Sequence, residues 1–330
     1  MNHRAGSHPV GDDAAVLITG GAGFIGSHLA ERLLDAGHRV VVLDNFDSFY
    51  DPSIKRKNVK PALAHGAYRL VEGDIRDGDT LESLFGSERF ATVVHLAARA
   101  GVRPSIADPV LYSSVNLDGT TRLLEACRRH AVSRFVFGSS SSVYGNNTHV
   151  PFSESDPVDH PISPYAATKK AGEVLCHVYH HLHGMDVACL RFFTVYGPRQ
   201  RPEMAIHKFA AALAEGRQIE QYGDGSSARD YTYVADIVGG IQRAMERISG
   251  YAVWNLGGSR TITLADLVRE IAQRLGVEAR VKQVENQPGD VDRTWADIAL
   301  AQRELDWSPE IDIQHGLDLF LEWFGQARAR

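Results

Sequence analysis

Cysteine is scarce in this chain: three residues occur, Cys127, Cys176 and Cys189, and no two of them have Cys-x-x-Cys spacing. This argues against a disulfide framework and predicts a reducing, cytoplasmic setting. No apolar stretch approaches the roughly 18–20 residues that a membrane-spanning helix needs. Runs of basic residues are also lacking, and the formal net charge is -6. We therefore expect neither a membrane nor a nucleic acid as a partner.

The length of 330 residues exceeds what one small core needs, and it suits one large domain or two closely packed domains. Hydrophobic residues make up 44% of the chain and charged residues 23%, which is typical of a globular protein rather than of a disordered chain. The opening segment, residues 1–13, is polar and lacks the apolar core of a signal peptide. We predict a disordered leader there.

Strand and helix signals alternate in the first half of the chain. Helical patterns at 25–36 and 117–130 separate short β-branched or aromatic runs, which we expect to be strands buried on both faces of a parallel sheet. These runs are 15–18, 40–43, 68–71, 92–96 and 134–137. The alternation predicts an α/β fold, with a Rossmann-type, doubly wound parallel sheet over residues 14–190.

The second half breaks this alternation at Pro198, Pro202 and the Gly-Asp-Gly turn at 223–225. Amphipathic helices follow at 205–215, 264–275 and 315–324. We predict a smaller C-terminal α/β substrate lobe formed by 191–229 and 259–330. The segment 230–258, with a helix at 235–245 and a strand at 253–256, is expected to return to the first domain.

A glycine-rich loop follows the first strand and opens the first helix, with glycines at Gly20, Gly23 and Gly26. Such a loop lets the backbone approach a pyrophosphate at the helix N-terminus. Asp44 ends the second strand, where a carboxylate accepts from both ribose hydroxyls and repels a 2′-phosphate. The pattern therefore favours NAD over NADP.

Asp74, after the third strand, has two open interpretations: a contact to the adenine edge, or the N-cap of the next helix. The residues that we expect to bind the cofactor are Gly20, Gly23, Phe24, Ile25, Gly26, Asp44, Asn45, Asp74, Ile75, Leu96, Ala97, Ala98, Tyr165 and Lys169.

Tyr165 and Lys169 stand four residues apart, on one face of a helix that starts near 163–164. A free phenol has a pKa near 10 and is a poor base at neutral pH. An adjacent ammonium favours the phenolate, so the pair can act as a general base. Ser140 lies in a serine-rich segment after the fifth strand, where it could bond the hydroxyl that Tyr165 deprotonates. A strand exit built of small residues is the alternative.

These motifs resemble the extended short-chain dehydrogenase/reductase family, and within it the UDP-glucuronate 4-epimerases, from Val16 onward. The likeness is densest at 158–170, 191–198 and 229–233. It implies that Tyr165 is the base, that Lys169 is its partner and that Ser140 binds the sugar O4, with Ser141 and Ser142 alongside. It further implies that Arg229 clamps the diphosphate, that 204–209 covers the uracil, and that the chain forms a homodimer through the helices around Tyr165 and Cys127.

The family also contains sugar dehydratases and decarboxylases, which place carboxylates in the serine segment. No carboxylate lies between Ser139 and Tyr144 here. The resemblance therefore implies hydride removal and return at C4, through a transient 4-keto sugar, which is NAD-dependent epimerisation. UDP-glucuronate decarboxylase stays an alternative, and so does a dinucleotide-sensing protein without activity, although binding alone does not require Tyr165, Lys169 and Ser140 together.

Fewer residues indicate which sugar the substrate carries than indicate the type of reaction. Thr194 stands where epimerases of neutral sugars often have Asn, and Arg201 matches a position that faces the C6 carboxylate in glucuronate epimerases. The expected substrates are UDP-glucuronate and UDP-galacturonate; UDP-glucose/UDP-galactose and UDP-N-acetylhexosamines are the alternatives. One group of glucuronate epimerases carries Trp-Gly in place of Arg199-Gln200. The expected substrate-binding residues are Arg103, Ser140, Ser141, Ser142, Thr194, Arg201, Lys208, Phe209, Arg229 and Asp290, with no metal.

Overall fold

The computed structural model describes residues 14–285 and 291–328. In these residues the chain forms three sheets. Their strands are Ala15–Thr19 (β1), Val40–Asp44 (β2), Tyr68–Glu72 (β3), Phe90–His95 (β4), Arg134–Ser140 (β5), Asp186–Phe192 (β6), Thr194–Tyr196 (β7), Ile219–Tyr222 (β8), Ala228–Tyr233 (β9), Tyr251–Leu256 (β10), Thr261–Thr263 (β11) and Val281–Val284 (β12).

Helices lie between most of these strands. They are Phe24–Asp35 (α1), Pro52–Val59 (α2), Gly78–Ser87 (α3), Val102–Ala107 (α4), Pro109–Ser113 (α5), Gly119–Arg129 (α6), Pro164–His183 (α7), Ala205–Ala214 (α8), Val234–Arg247 (α9), Leu264–Leu275 (α10), Ala299–Leu305 (α11) and Ile313–Arg328 (α12). Short 3₁₀ turns occur at Ala62–Ala64 and Ser141–Tyr144, and one π turn, Ser114–Asp118, runs into α6.

The central sheet has seven strands in the order β10-β6-β5-β4-β1-β2-β3, and all its pairings are parallel. Its strand order reverses between β1 and β4, and open sheets of this kind bind ligands beyond the carboxyl ends of the strands at that reversal. This is the doubly wound architecture that the alternating signals predict, so the predicted fold class is confirmed.

Two hydrophobic cores lie on opposite faces of this sheet. Along β1, Val16 and Ile18 belong to one core, and Leu17 belongs to the other. Side chains of a strand alternate between faces, so a strand covered by helices on both faces reads as a continuous apolar run. The expectation of burial on both faces is wrong for β3, an edge strand of the sheet, which has no fully buried residue.

The smaller lobe contains a three-stranded sheet, β11-β9-β7, and a parallel pair, β12-β8, with α8, α10 and α12. Part of the second half returns to the large sheet: β10 pairs with β6, and α9 packs on α1. The returning segment begins with α9, because β9 pairs with β7 and β11 in the lobe. Likewise, β6 continues to Phe192, two residues past the expected boundary at 190.

Across the described ranges, we find no helix with both the length and the apolar character needed to cross a membrane. The predicted leader, residues 1–13, lies outside the described residues.

Candidate active site

Two adjoining cavities, each of about 620 Å³, lie beside the carboxyl ends of the large sheet. The first, which we call the sheet-edge cavity, is lined by residues that follow β1, β2, β3, β4, β5 and β6. The second, the lobe cavity, lies against α8, β8 and β9. Arg103, Glu203 and Ala205 line both cavities, so the two spaces meet at these residues.

The glycine loop closes one end of the sheet-edge cavity. Gly20 has a φ of +72°, and a Cβ there would lie 2.7 Å from the amide nitrogen of Ala97. A Cβ at Gly26 would lie 2.4 Å from the carbonyl oxygen of Gly20. Only glycine can occupy these two positions, because any Cβ would collide with the neighbouring backbone atoms. Gly23 precedes α1 without a capping side chain, so the N-terminus of α1 presents amide groups and a partial positive charge to the cavity.

Asp44 is fixed at the end of β2. Its two carboxylate oxygens accept from the amide groups of Ala22 at 3.0 Å and Phe46 at 2.9 Å. Burial raises the pKa of this carboxyl, while the nearby ammonium of Lys55 and these backbone hydrogen bonds act in the opposite direction. The carboxylate is therefore held in one orientation in the cavity wall, where it can accept from ribose hydroxyls.

Asp74 lines the same cavity and does not cap a helix. The N-cap of α3 is Asp77, whose side chain accepts from the amide of Asp79, so the capping interpretation of Asp74 is wrong. Asp74 binds Arg76 at 2.8 Å and Asn45 at 2.9 Å. Hydrogen bonding with Arg76 lowers the pKa of Asp74 to about 2, which keeps this carboxylate ionised beside the cavity.

Helix α7 carries Tyr165 and Lys169 to the cavity wall. The helix is well defined at its start, because the Ser163 hydroxyl accepts from the amide of Ala166 and Pro164 occupies the first turn. Lys169 is buried, and its ammonium donates to the carbonyl oxygen of Gly138 at 2.6 Å. Its Nζ lies 6.0 Å from the centre of the Tyr165 ring.

The electrostatics of this pair are set by burial. Burial lowers the pKa of Lys169 to about 8. Burial raises the pKa of Tyr165, while a hydrogen bond with Ser140 and the positive charge of Arg201 act to lower it. The net effect raises the pKa of Tyr165, so the neutral phenol is favoured in the unliganded protein, and Ser140 and Arg201 are the two groups that favour its ionised form.

The serine segment after β5 divides between the cavity and the interior. Ser140 lines the cavity, where its hydroxyl donates to the hydroxyl of Ser142 at 3.2 Å and interacts with Tyr165. Ser139 donates instead to Glu173 at 2.6 Å. The contact between Ser140 and Tyr165 favours a functional part for Ser140 over a simple small-residue exit.

Behind this segment lies a buried ion pair that the sequence analysis does not include. Glu173 accepts from Arg191 through two hydrogen bonds of 2.9 Å, and both side chains are almost wholly buried. Breaking such a pair costs about 3–5 kcal/mol, so it holds β5, β6 and α7 in one arrangement. An arginine within the apolar run of β6 is a signal that could have revealed it, since buried charge requires a partner.

Arg201 and Thr194 line the sheet-edge cavity near Tyr165. The Nε of Arg201 lies 3.2 Å from a carboxylate oxygen of Glu203, and its guanidinium is 5.8 Å from the centre of the Phe49 ring. Arg99 is 5.2 Å from the same ring. The loop that carries Phe49 was also missed; an aromatic pair at 49–50, shortly after Asp44, is the signal that marks it.

The lobe cavity receives Arg103, Lys208, Phe209 and Arg229. Arg229 donates to the carbonyl oxygens of Ala228 and Asp292, at 3.0 and 3.2 Å. The adjacent Asp230 is buried and accepts from three backbone amides, those of Gly258, Ser259 and Ala296. Strand alternation thus directs the guanidinium into the cavity and the carboxylate into the core.

The structure brings every predicted cofactor residue into the sheet-edge cavity, together with most of the predicted substrate residues, Arg103, Ser140, Ser141, Ser142, Thr194 and Arg201. Lys208, Phe209 and Arg229 line only the lobe cavity. Asp290 lies outside the described residues. Within 14–285 and 291–328, no group of three or more His, Cys, Asp or Glu side chains is placed to hold a metal ion.

Comparison with known proteins shows similarity along nearly the whole chain. A family model described as GDP-mannose 4,6 dehydratase matches residues 17–320. UDP-glucuronate 4-epimerase 4 of Arabidopsis thaliana is 44% identical over 329 residues, covering 94% of this chain and 75% of that protein.

Two solved structures are also similar. The crystal structure of UDP-glucuronic acid 4-epimerase from Bacillus cereus, in complex with UDP-glucuronic acid and NAD, is 36% identical with a TM-score of 0.89, covering 95% of this chain and 99% of that one. The UDP-glucose 4-epimerase of Thermotoga maritima with UDP-glucose is 32% identical with a TM-score of 0.88, and the coverage is again 95% and 99%.

Proposed function

The chain belongs to the GDP-mannose 4,6 dehydratase family of extended short-chain dehydrogenases/reductases, and on that premise we propose that it is an NAD-dependent epimerase that interconverts UDP-glucuronate and UDP-galacturonate. One observation carries this proposal. Tyr165, Lys169 and Ser140 meet in one cavity with Arg201, and the serine segment contributes no carboxylate that could drive elimination.

The residues of the sheet-edge cavity fit NAD. The tight approaches at Gly20 and Gly26 leave a glycine cradle that any Cβ would fill, at the N-terminus of α1. Asp44 would hold the adenosine ribose, and Lys169 the nicotinamide ribose. Bound NAD supplies the chemistry that no side chain offers, reversible acceptance of a hydride from C4 of the sugar, which makes the sugar a transient 4-keto compound.

The side chains of this chain handle the proton. We propose that Tyr165 takes the proton of the C4 hydroxyl and later returns it, while Ser140 hydrogen-bonds the same oxygen. The hydrogen bond from Lys169 to the carbonyl oxygen of Gly138 holds the ammonium in place, so its charge stays near the phenol. Epimerisation requires the 4-keto sugar to present its other face, and Arg229 in the lobe cavity would keep the diphosphate anchored while it turns.

Arg201 supports the uronate as the substrate. The B. cereus and T. maritima structures resemble this chain about equally, so overall likeness does not select the sugar. A guanidinium close to Tyr165, by contrast, offers two parallel hydrogen bonds to a C6 carboxylate. A neutral sugar would leave that guanidinium paired with Glu203 alone and would gain nothing from its charge, which favours the uronate over UDP-glucose.

A substrate panel tests the proposal. The purified protein would be incubated separately with UDP-glucuronate, UDP-glucose, UDP-N-acetylglucosamine and, as a matched anion control, UDP alone, with products read by NMR at C4. We expect UDP-galacturonate from UDP-glucuronate and far slower change of the neutral sugars. UDP-pentose as the main product would instead indicate a decarboxylase, and no turnover of any sugar would indicate a dinucleotide-sensing protein.

A homodimer is part of the same proposal. Helix α7 exposes Val174, Val178 and Leu182 in one row, with half or more of the Val174 and Leu182 side chains accessible. Apolar residues in such a row at helical spacing are typical of a helix–helix interface. A solution mass of one chain by light scattering would contradict it. The cytoplasmic setting remains a prediction, in agreement with three buried free cysteines.

The pH dependence of kcat/KM is expected to show an acid limb that levels off near or below pH 8. The active form has lost one proton from the Tyr165–Lys169 pair. Burial lowers the pKa of Lys169 to about 8, so the ammonium that stabilises the phenolate persists up to about that pH. Burial raises the pKa of Tyr165, so in the unliganded protein ionisation of the phenol is the step that limits activity at low pH. Positive charge on bound NAD moves this step to lower pH. Turnover therefore rises with pH up to that point.

Replacing Lys169 with Met separates the two groups. Without the ammonium, the phenol must ionise alone, so we expect the acid limb to move upward by more than about one pH unit. Lys60→Met, at the exposed end of α2, serves as the control and should leave the profile unchanged. An acid limb at the same pH in Lys169→Met would show that the ammonium does not assist ionisation of Tyr165.

A further inference from the structure

The turn at 197–201, which carries Arg201, is held in an unusual backbone shape. Gly197 has a φ of +137°, and Arg199 has a φ of +64° although it carries a Cβ. Side chains other than glycine rarely adopt this left-handed region, and where they do, surrounding contacts must maintain it. The shape of this turn therefore depends on what Arg199 touches.

Arg199 binds helix α1. One terminal nitrogen donates to both carboxylate oxygens of Glu31, at 2.8 and 3.0 Å, and the other donates to the Ser27 hydroxyl at 3.2 Å. Both members of the ion pair are partly buried, with 18% and 30% of their side chains exposed. Because one nitrogen bonds Glu31 and the other bonds Ser27, the guanidinium is held at two points of α1, which fixes its orientation as well as its distance.

A second contact joins the same two elements. His28, on α1, lies with its Nε2 2.9 Å from the carbonyl oxygen of Pro198. Burial lowers the pKa of His28 to about 4, so the ring is neutral near pH 7 and its Nε2–H can donate to that carbonyl. The turn is thus tied to α1 on both sides of the peptide bond between residues 198 and 199.

Helix α1 is the helix whose N-terminus closes the glycine cradle, and Arg199 itself lines neither cavity. We propose that Arg199 is a positioning residue: its ion pair with Glu31 ties the 197–201 turn to the cofactor helix and thereby fixes where Arg201 meets the C6 carboxylate of the sugar. This inference rests on the proposed function, because it concerns the same substrate.

The ion pair between Arg199 and Glu31 can fix the position of the Arg201 guanidinium, because Arg201 is only two residues beyond Arg199. A displacement of about 1 Å in the turn would move the guanidinium out of bidentate reach of a carboxylate, and misplacement on that scale can cost up to about a hundredfold in rate. The effect should be selective. A sugar without a carboxylate makes no hydrogen bond to Arg201, and the base Tyr165 is on α7, which the turn does not carry, so turnover of such a sugar should change less.

Arg199→Gly is the direct test. Glycine accepts a φ of +64° without strain, so this variant removes the ion pair and keeps the backbone shape available. We expect KM for UDP-glucuronate to rise at least about tenfold, with a smaller change in kcat. We also expect a larger share of UDP-4-keto-pentose among the products, because a loosely held β-keto acid loses carbon dioxide. The dinucleotide content of the purified variant should stay that of the wild type, and each 4-keto-pentose released should leave its C4 hydride on the bound dinucleotide.

Glu31→Gln provides a second variant that leaves the turn's own sequence intact, and it should give the same kind of KM increase. The double variant should have no higher a KM than Arg199→Gly alone, because the two substitutions remove the same ion pair. Arg217→Gly, which breaks the exposed Arg217–Glu215 pair of the lobe, is the matched control and should change nothing. Arg199→Lys, which keeps the charge but loses the planar guanidinium, should raise KM less than Arg199→Gly does.

The outcomes separate this inference from the proposed function. If the wild type does not convert UDP-glucuronate, the proposed function fails and this inference fails with it. If Arg201→Met abolishes conversion while Arg199→Gly and Glu31→Gln both leave KM and the pentose share within twofold of wild type, only the positioning role is refuted. Equal loss of kcat with every UDP-sugar in the panel would also refute it, since that is a general structural defect.

Discussion

Tyr165→Phe is expected to lower kcat for epimerisation of UDP-glucuronate by about a thousandfold, with the dinucleotide still bound. General acid–base catalysis contributes about 10²–10⁴ in rate, and this site offers Tyr165 as the phenol that interacts with Ser140. A thousandfold loss corresponds to about 4 kcal/mol of transition-state stabilisation. The ring should keep its place, because the edge of Tyr112 packs against it with centroids 6.3 Å apart.

The measurement is single-turnover conversion followed by NMR, together with the NAD content of the purified variant. Tyr112→Phe is a closely matched control. It removes the hydroxyl of a neighbouring tyrosine that donates to the carbonyl oxygen of Ala100 at 2.7 Å, and it should change kcat only a few-fold. Conversion by Tyr165→Phe within tenfold of the wild type would exclude Tyr165 as the base.

The central sheet could be predicted best from the sequence. The runs at 15–18 and 40–43 each start where β1 and β2 start and end one residue early. These strands are buried on both faces, so nearly every residue in them is apolar and the signal is continuous. The predicted family is confirmed as well. The cofactor residues could be foreseen because ligand contacts of a doubly wound sheet collect after the carboxyl ends of its strands.

Residues whose environment comes from distant parts of the chain could be predicted least well. The sequence of β3 resembles those of the other strands, yet none of its residues is fully buried, because helices do not cover both of its faces closely. Asp74 and Asp77 are both of a residue type that is common at N-caps. Asp77 is the N-cap because α3 begins at Gly78. The strands of the lobe were not predicted, because β7 and β11 have only three residues each and β9, which contains Arg229 and Asp230, is not a continuous apolar run.

Ion pairs are the other part of the site that sequence patterns do not show. Glu173 with Arg191, and Arg199 with Glu31, join residues 18 and 168 positions apart. No local periodicity records such a pairing. Both pairs lie behind groups that the sequence did identify, the serine segment and Arg201. The sequence thus indicates which residues face the ligands, and the structure shows what orients them.

Arg201→Met is expected to lower kcat/KM for UDP-glucuronate by about 30- to 4,000-fold. Removing one partner of a desolvated, hydrogen-bonded charge pair costs about 2–5 kcal/mol, which corresponds to that range. Methionine keeps much of the apolar stem, so the Phe49 contact and the cavity shape change little. Kinetics with UDP-glucuronate and UDP-glucose would measure the effect. Turnover of UDP-glucose should fall far less, because it carries no carboxylate and loses only the effect of the Arg201 charge on the pKa of Tyr165.

The products of this variant should change as well as the rate. The 4-keto form of glucuronate is a β-keto acid: when its C5–C6 bond breaks, carbon dioxide leaves, the electron pair forms an enolate toward C4, and a proton then adds at C5. A guanidinium that holds the carboxylate in the sugar plane suppresses this cleavage, since the breaking bond must align with the carbonyl π system. UDP-4-keto-pentose should therefore form a larger share of the little product that Arg201→Met releases.

Arg201→Lys, which retains the charge without the planar guanidinium, should have a turnover and a pentose share between those of the wild type and Arg201→Met. Unchanged turnover and an unchanged pentose share would mean that Arg201 does not contact the C6 carboxylate, and the uronate would lose its main support over the neutral sugars.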